Sequence, residues 1–171
     1  MELVVTHISA AAASLTWALY ERIRHGKASM VGLVTGTIAG LASMTPASGF
    51  IGPLSGLIIG AVAGVLCQIA VNLVKERLRT DDTVDVFAVH GIGGIFGTLM
   101  APILAVGALE GGQWIITQLI ALAAVGAFMV VVSAVLVKLT GLVYPIRVSE
   151  ENEFEGLDIT AHGERGYDLV S

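Results

Sequence analysis

The 171-residue chain is 55% hydrophobic and only 13% charged, with a formal net charge of −5 and a mean hydropathy of +0.84. That is too apolar for an ordinary soluble domain, and the length is about that of one domain. The charges are also uneven: no Asp, Glu, Lys or Arg occurs from Ala28 to Val74 or from Val86 to Leu109.

Apolar runs of about 18 residues or more can cross a bilayer as helices. Five spans are expected: 3–20, 28–45, 50–74, 86–107 and 113–140. The first carries His7, with a surface or subunit-facing role open to it, and is followed by Arg22, Arg24 and Lys27. Met1-Glu2 leads into apolar sequence without a basic leader, so no cleavable signal peptide is expected. An N-terminus so close to a span suggests that an earlier part of a larger protein precedes it.

In the second span Gly32, Gly36 and Gly40 recur every fourth residue, as do Gly52, Gly56, Gly60 and Gly64 in the third. Such spacing lines one helix face with glycine and lets a neighbouring backbone approach closely in lipid. Between these spans lies "SMTPASGFIGP" (43–53). Thr45 precedes Pro46, where the helix should end or bend. It is either part of a plain turn or a polar group facing a pathway. Cys67, the only cysteine, is expected to pack as a small apolar residue.

After the third span come Lys75, Arg77 and Arg79, then Asp81, Asp82 and Asp85 at the start of the fourth. Acids there suit a helix N-terminus, whose free N–H groups they can cap. Inside the fourth span sits His90, with Gly93 and Gly97 repeating the four-residue spacing. An ionisable residue within a span is a functional candidate because it is costly to keep there. Burial disfavours imidazolium, and neutral imidazole offers one donor and one acceptor. A packing role for His90 is the competing reading. Asp85 and His90 are five apart, which separates them on an α-helix, and no second ligand lies nearby, so no metal is expected. Gly91-Ile92-Gly93-Gly94 follows no strand and is no phosphate loop. With no nucleotide motif and no nucleophile set, neither an enzyme, a cofactor nor a nucleic-acid partner is expected.

The fifth span ends near Lys138, which can snorkel to the interface. Five spans place every Lys and Arg on one face, leaving none in the connections 46–49 and 108–112. The positive-inside rule then puts the N-terminus outside and the C-terminus in the cytoplasm. The fold class is therefore all-α: a polytopic membrane bundle over 1–147 with a cytoplasmic tail over 148–171. The tail holds seven of the fourteen acids, interleaved with Phe154, Leu157, Ile159, Tyr167 and Leu169. It reads either as a solvated, partly disordered segment or as a docking segment.

"GTIAGLASMTPASGFIGP" (36–53), "DDTVDVFAVHGIGGIFGT" (81–98) and "EFEGLDITAHGERGYDL" (153–169) resemble the ammonium transporter family (Amt/Mep/Rh), in family order. The resemblance implies the last five helices of an eleven-helix fold, in a homotrimeric, multi-pass protein of the cell membrane. It implies a narrow hydrophobic pore lined by two histidines, through which ammonium is deprotonated and carried as ammonia. His90 matches the second histidine; the first would belong to an N-terminal half absent from this sequence. Thr45 and Val86 match positions near the inner half of the pore, and Asp85, beside Asp82, matches an acid at the start of the pore helix. Gly156, Asp158, Thr160, His162, Gly163 and Tyr167 match a cytoplasmic regulatory tail, which in prokaryotes helps a PII-type protein plug the pore. An ammonium-sensing or accessory subunit on the same fold, or a fragment without autonomous transport, are the alternatives.

Overall fold

A computed structural model describes residues 1–105 and 112–164, and every regular element among them is helical. The chain divides into two units, Met1–Ala123 and Ala124–Ser171. The first unit contains α1 (Glu2–His25), α2 (Met30–Met44), α3 (Pro53–Asn72), α4 (Gly93–Leu104) and the start of α5 (Gly112–Val143). Two stretches wind with i→i+5 hydrogen bonding: Leu73–Arg77 extends α3, and Phe87–Ile92 leads into α4.

Local chemistry sets these boundaries. α1 stops at Gly26, whose φ of 78° is the left-handed conformation that glycine adopts without steric cost. Ser29 caps α2 by accepting from Gly32 N at 2.8 Å. Glu21 ties the two helices together. Its carboxylate accepts from Trp17 Nε1 (3.2 Å) in α1 and from Ser29 N (2.7 Å) at the head of α2. Nothing in the sequence pattern singled Glu21 out. Pro53 opens α3, where its missing N–H costs nothing.

α1 lies at the centre of the packing, against both α2 and α3, and α4 packs on α2 and α3. The glycine stripes make these contacts. A Cβ at Gly40 would stand 2.5 Å from Ser9 O and 2.8 Å from Ala10 Cα, and one at Gly56 would stand 3.1 Å from Val5 O. Gly36 faces the Trp17 side chain, and Gly60 and Gly64 face the backbone of Ser9 and Ala13. Ser9 Oγ donates to Gly40 O at 2.9 Å across this interface. Not every glycine meets backbone: Gly32 faces the Glu21 side chain of α1, and Gly52 and Gly94 have nothing within 4 Å.

Among the described residues four helical stretches are long and apolar enough to cross a membrane: Glu2–His25, Pro53–Arg77, Phe87–Leu104 and Trp114–Val143. The second expected span is a helix of only 15 residues. That is about 22 Å of rise, short of a hydrocarbon core of roughly 30 Å. The fourth span closes at Leu104, and positions 106 and 107 of the expected range lie outside the described residues. None of the most apolar window of α5 is buried.

In the second unit, Ser149 caps α6 (Glu150–Glu155) by accepting from Asn152 N at 3.3 Å, and α7 (Leu157–Thr160) follows. Gly156 sits between them at φ 99°, a conformation that strains any L side chain.

Candidate functional site: the entrance to the His90 helix

The chain between α3 and α4 is short, charged and closely wired. Leu78 N donates back to Leu73 O at 3.0 Å, closing the i→i+5 end of α3. Asp82 then does what an acid before a helix is expected to do. Its two carboxylate oxygens accept from Val86 N and Phe87 N, each at 2.9 Å. Asp81 accepts instead from Thr83 Oγ1 at 3.3 Å. Asp85 takes a third role, pairing with Lys75 Nζ at 2.7 Å across the connection. Its backbone is left-handed at φ 59°, uncommon outside glycine, though Asp and Asn tolerate it best. Removing the cap with Asp82→Ala is expected to cost about 1 kcal/mol. Faster amide exchange at Val86 and Phe87, with little change in Asp82→Asn, would register it.

Beyond this cap, Phe87–Ile92 widens by one residue per turn, and the widening decides where His90 goes. On an unbroken α-helix both Val89 and His90, four and three residues before Gly93, would share the face of Gly93. Here Ala88 and Val89 are buried together with Gly93, Gly97 and Ala101, while His90 is exposed. Cys67 Sγ lies 4.0 Å from Val89 O on the buried side, so Cys67 packs as a small core residue. A Cβ on Gly93 would meet Ser43 Oγ at 2.8 Å and Cys67 Sγ at 3.2 Å, and one on Gly97 would strike Ser43 O. The α-helical spacing that separates Asp85 from His90 therefore does not hold here, although Asp85 is engaged with Lys75 and faces no ligand set. Among the described residues no group of three or more His, Cys, Asp or Glu could hold a metal.

Val86 and Thr45 are exposed, as His90 is. α2 ends at Met44 as Pro46 requires, but Thr45 keeps helical angles and its hydroxyl donates to Leu41 O at 2.8 Å. The hydroxyl proton is thus spent within the turn, leaving its oxygen as an acceptor. His7 is exposed beside Glu2, Thr6 and Ser48 at the opposite end of α1 from the basic residues.

In the tail, Thr160 Oγ1 donates to Gly156 O at 3.1 Å, and Glu164 N donates to Asp158 O at 2.8 Å. Gly163 is left-handed at φ 66°, and Arg147 pairs with Glu153 at 2.9 Å. His162 is exposed, and Tyr167 lies outside the described residues. The residues that sequence reasoning missed are Lys75 and Ser43. Lys75 was one of three cations before the connection, and Arg77 and Arg79 stand nearer to Asp85 in sequence, so nothing in the pattern singled it out. Ser43 gave no signal beyond its closeness to Thr45.

Glycine-lined helix contacts and membrane-length apolar helices define a multi-pass α-helical membrane protein. The ammonium transporter family model matches residues 1–167. The chain is 39% identical to a putative ammonium transporter of Methanothermobacter thermautotrophicus, over 98% of this chain and 44% of that protein. It is 38% identical to an ammonium transporter of Bacillus subtilis, over 95% of this chain and 43% of that one. Among solved structures it superposes on a "Sensor Amt Protein" with a TM-score of 0.86 at 25% identity, covering 94% of this chain and 41% of the other. On Candida albicans Mep2 the TM-score is 0.80 at 32% identity, covering 88% and 37%. The chain belongs to the ammonium transporter family, and it spans about two fifths of the length of these relatives.

Proposed function

We propose that this chain forms the His90 side of an ammonium pathway across the cell membrane. The observation that carries the reading is the exposure of His90 on an apolar helix whose opposite face is sealed by Val89, Gly93 and Gly97. An imidazole turned out of the packed face of a membrane helix is placed to serve something that passes it. A bare charge at mid-bilayer costs at least ~2.5–3.5 kcal/mol, whereas ammonia carries no such penalty. Ammonium loses its proton before the narrow segment, and His90 orients the neutral guest with one donor and one acceptor. Thr45 and Val86 line the inner half of the path, and Asp82 and Asp85 fix the helix start.

In this reading five helices cross the bilayer, the 15-residue α2 being completed by the turn at 45–50. The basic connections face the cytoplasm with the C-terminus. The remaining wall of the pore, with a partner histidine, comes from an N-terminal half, and three copies assemble as a trimer. The tail regulates from the cytoplasmic face. Its acids and the exposed Phe154 suit docking on the bundle or on a PII-type protein, with Gly156, Asp158, Thr160, His162, Gly163 and Tyr167 as its recognition residues.

The test is reconstitution. Joined to the N-terminal half of such a transporter, the chain is expected to give ammonium-dependent current in liposomes; the 171 residues alone are expected to give none. Current from the chain alone would sink the need for a second half. A second reading, ammonium sensing, is favoured by the likeness to the "Sensor Amt Protein". Saturable ammonium binding by the joined protein without current would select it.

A further inference from the structure

The two i→i+5 stretches, Leu73–Arg77 and Phe87–Ile92, face each other across the α3–α4 connection, and one ion pair joins them. Lys75 belongs to the first stretch, and Asp85 stands two residues before the second. We propose that the Lys75–Asp85 pair is a positioning latch: it holds the helix entrance in the phase that turns His90 away from the packed face. The inference rests on the pore reading for its consequence in transport, but not for its structural content.

Four observations support it. The His90 imidazole has no hydrogen-bond or ion-pair partner among the described residues, so none of them ties it in place and the helix phase decides which face it occupies. The backbone before it is held from two sides. Ala88 and Val89 are pinned in the core against α3, and Val86 and Phe87 hang on the Asp82 carboxylate. Just before these residues stands Asp85, with φ 59°, a left-handed conformation that is uncommon outside glycine and that an ion pair can help to hold. Its side chain is only 16% exposed, unlike the other ion pair described, Arg147–Glu153, whose less exposed member is 39% exposed. The Lys75 side chain is 42% exposed, so the pair is screened from water on the carboxylate side only. Without Lys75, Asp85 is free to leave the left-handed region. The helix start can then rewind to ordinary α spacing, which carries His90 toward the face of Gly93.

The experiment uses the joined protein with histidine labelled for NMR, the His90 resonance being assigned by its loss in His90→Gln. Lys75→Met and Asp85→Asn are each expected to shift that resonance and to lower ammonium uptake about tenfold, a change of roughly 1.4 kcal/mol. Asn tolerates φ > 0 as Asp does, so Asp85→Asn removes the charge without adding backbone strain of its own, and a shift reports the lost ion pair. Lys75→Arg, which keeps the cation, is expected to restore both readouts. The double variant is expected to be no worse than either single one, because both remove the same interaction. Two outcomes overturn the latch: a His90 resonance that stays put in Asp85→Asn while the protein remains folded, or additive losses in the double variant. A shifted resonance with undiminished uptake leaves the latch standing and removes the pore reading instead. If Lys75→Met does not fold, Asp85→Asn and Lys75→Arg decide the question between them.

Discussion

His90→Ala in the joined transporter is expected to lower ammonium uptake at least about tenfold, or to erase discrimination between ammonium and potassium. The reason is the state in which the guest crosses. A dry path favours neutral ammonia over a charged ion, but ammonia still brings hydrogen-bonding groups that lose water on entry. A neutral imidazole supplies one acceptor and one donor, whereas alanine supplies neither and leaves those groups unmet. Alanine also leaves a gap that water or a hydrated cation can enter, so selectivity is the more sensitive readout. His90→Gln keeps a donor and an acceptor and is expected to fall between the wild type and alanine. Uptake and selectivity both unchanged in His90→Ala would reduce His90 to a surface-packing residue. Among the described residues those that pack on this helix are Ala88, Val89 and Gly93 and not the histidine between them.

What could be read beforehand is uneven, for physical reasons. The four-residue glycine spacing of α2, α3 and α4 is a property of the α-helix, and Gly36, Gly40, Gly60 and Gly97 indeed meet backbone or close side chains of neighbouring helices. The Asp82 cap was legible because acids before an apolar run have one obvious set of donors to meet. The phase of His90 was not. Helical periodicity assumes a constant turn, and an apolar stretch such as Val86–Ile95 looks the same whether its bonded groups are four or five residues apart. Only the hydrogen bonds reveal the extra residue. The Lys75–Asp85 pair was hidden for a related reason: it spans ten positions and depends on a left-handed aspartate that no composition predicts. Length was the remaining gap. The apolar run 28–45 reads as a crossing, but Ser29 caps late and Pro46 stops early, which leaves a 15-residue helix.

Gly60→Leu is expected to be among the most damaging single substitutions in the bundle, lowering stability by about 3 kcal/mol or more and dispersing the α1–α3 contact. A Cβ at Gly60 would strike Ser9 O and stand 2.6 Å from Ser9 Cα and 2.8 Å from Ser9 C, all of them backbone atoms. A flexible side chain could swing aside; a helix backbone can yield only by moving α1 as a whole. That movement would also stretch the Ser9 Oγ–Gly40 O bond of 2.9 Å, so the α1–α2 contact is lost with it. Even Gly60→Ala is expected to destabilise, although alanine is the better helix former by about 1 kcal/mol. Gly94→Ala provides the contrast, since nothing lies within 4 Å of its Cβ position. There the helix preference acts unopposed, and the substitution is expected to be neutral or stabilising. Unfolding of the two variants in mixed detergent, followed by circular dichroism, distinguishes the cases. Equal stability of Gly60→Leu and wild type would mean that α1 and α3 do not meet backbone to backbone. The surface against which α4 packs would then need a different support, because Cys67 and Gly60 lie on the same helix, and Cys67 packs with Val89 in the core.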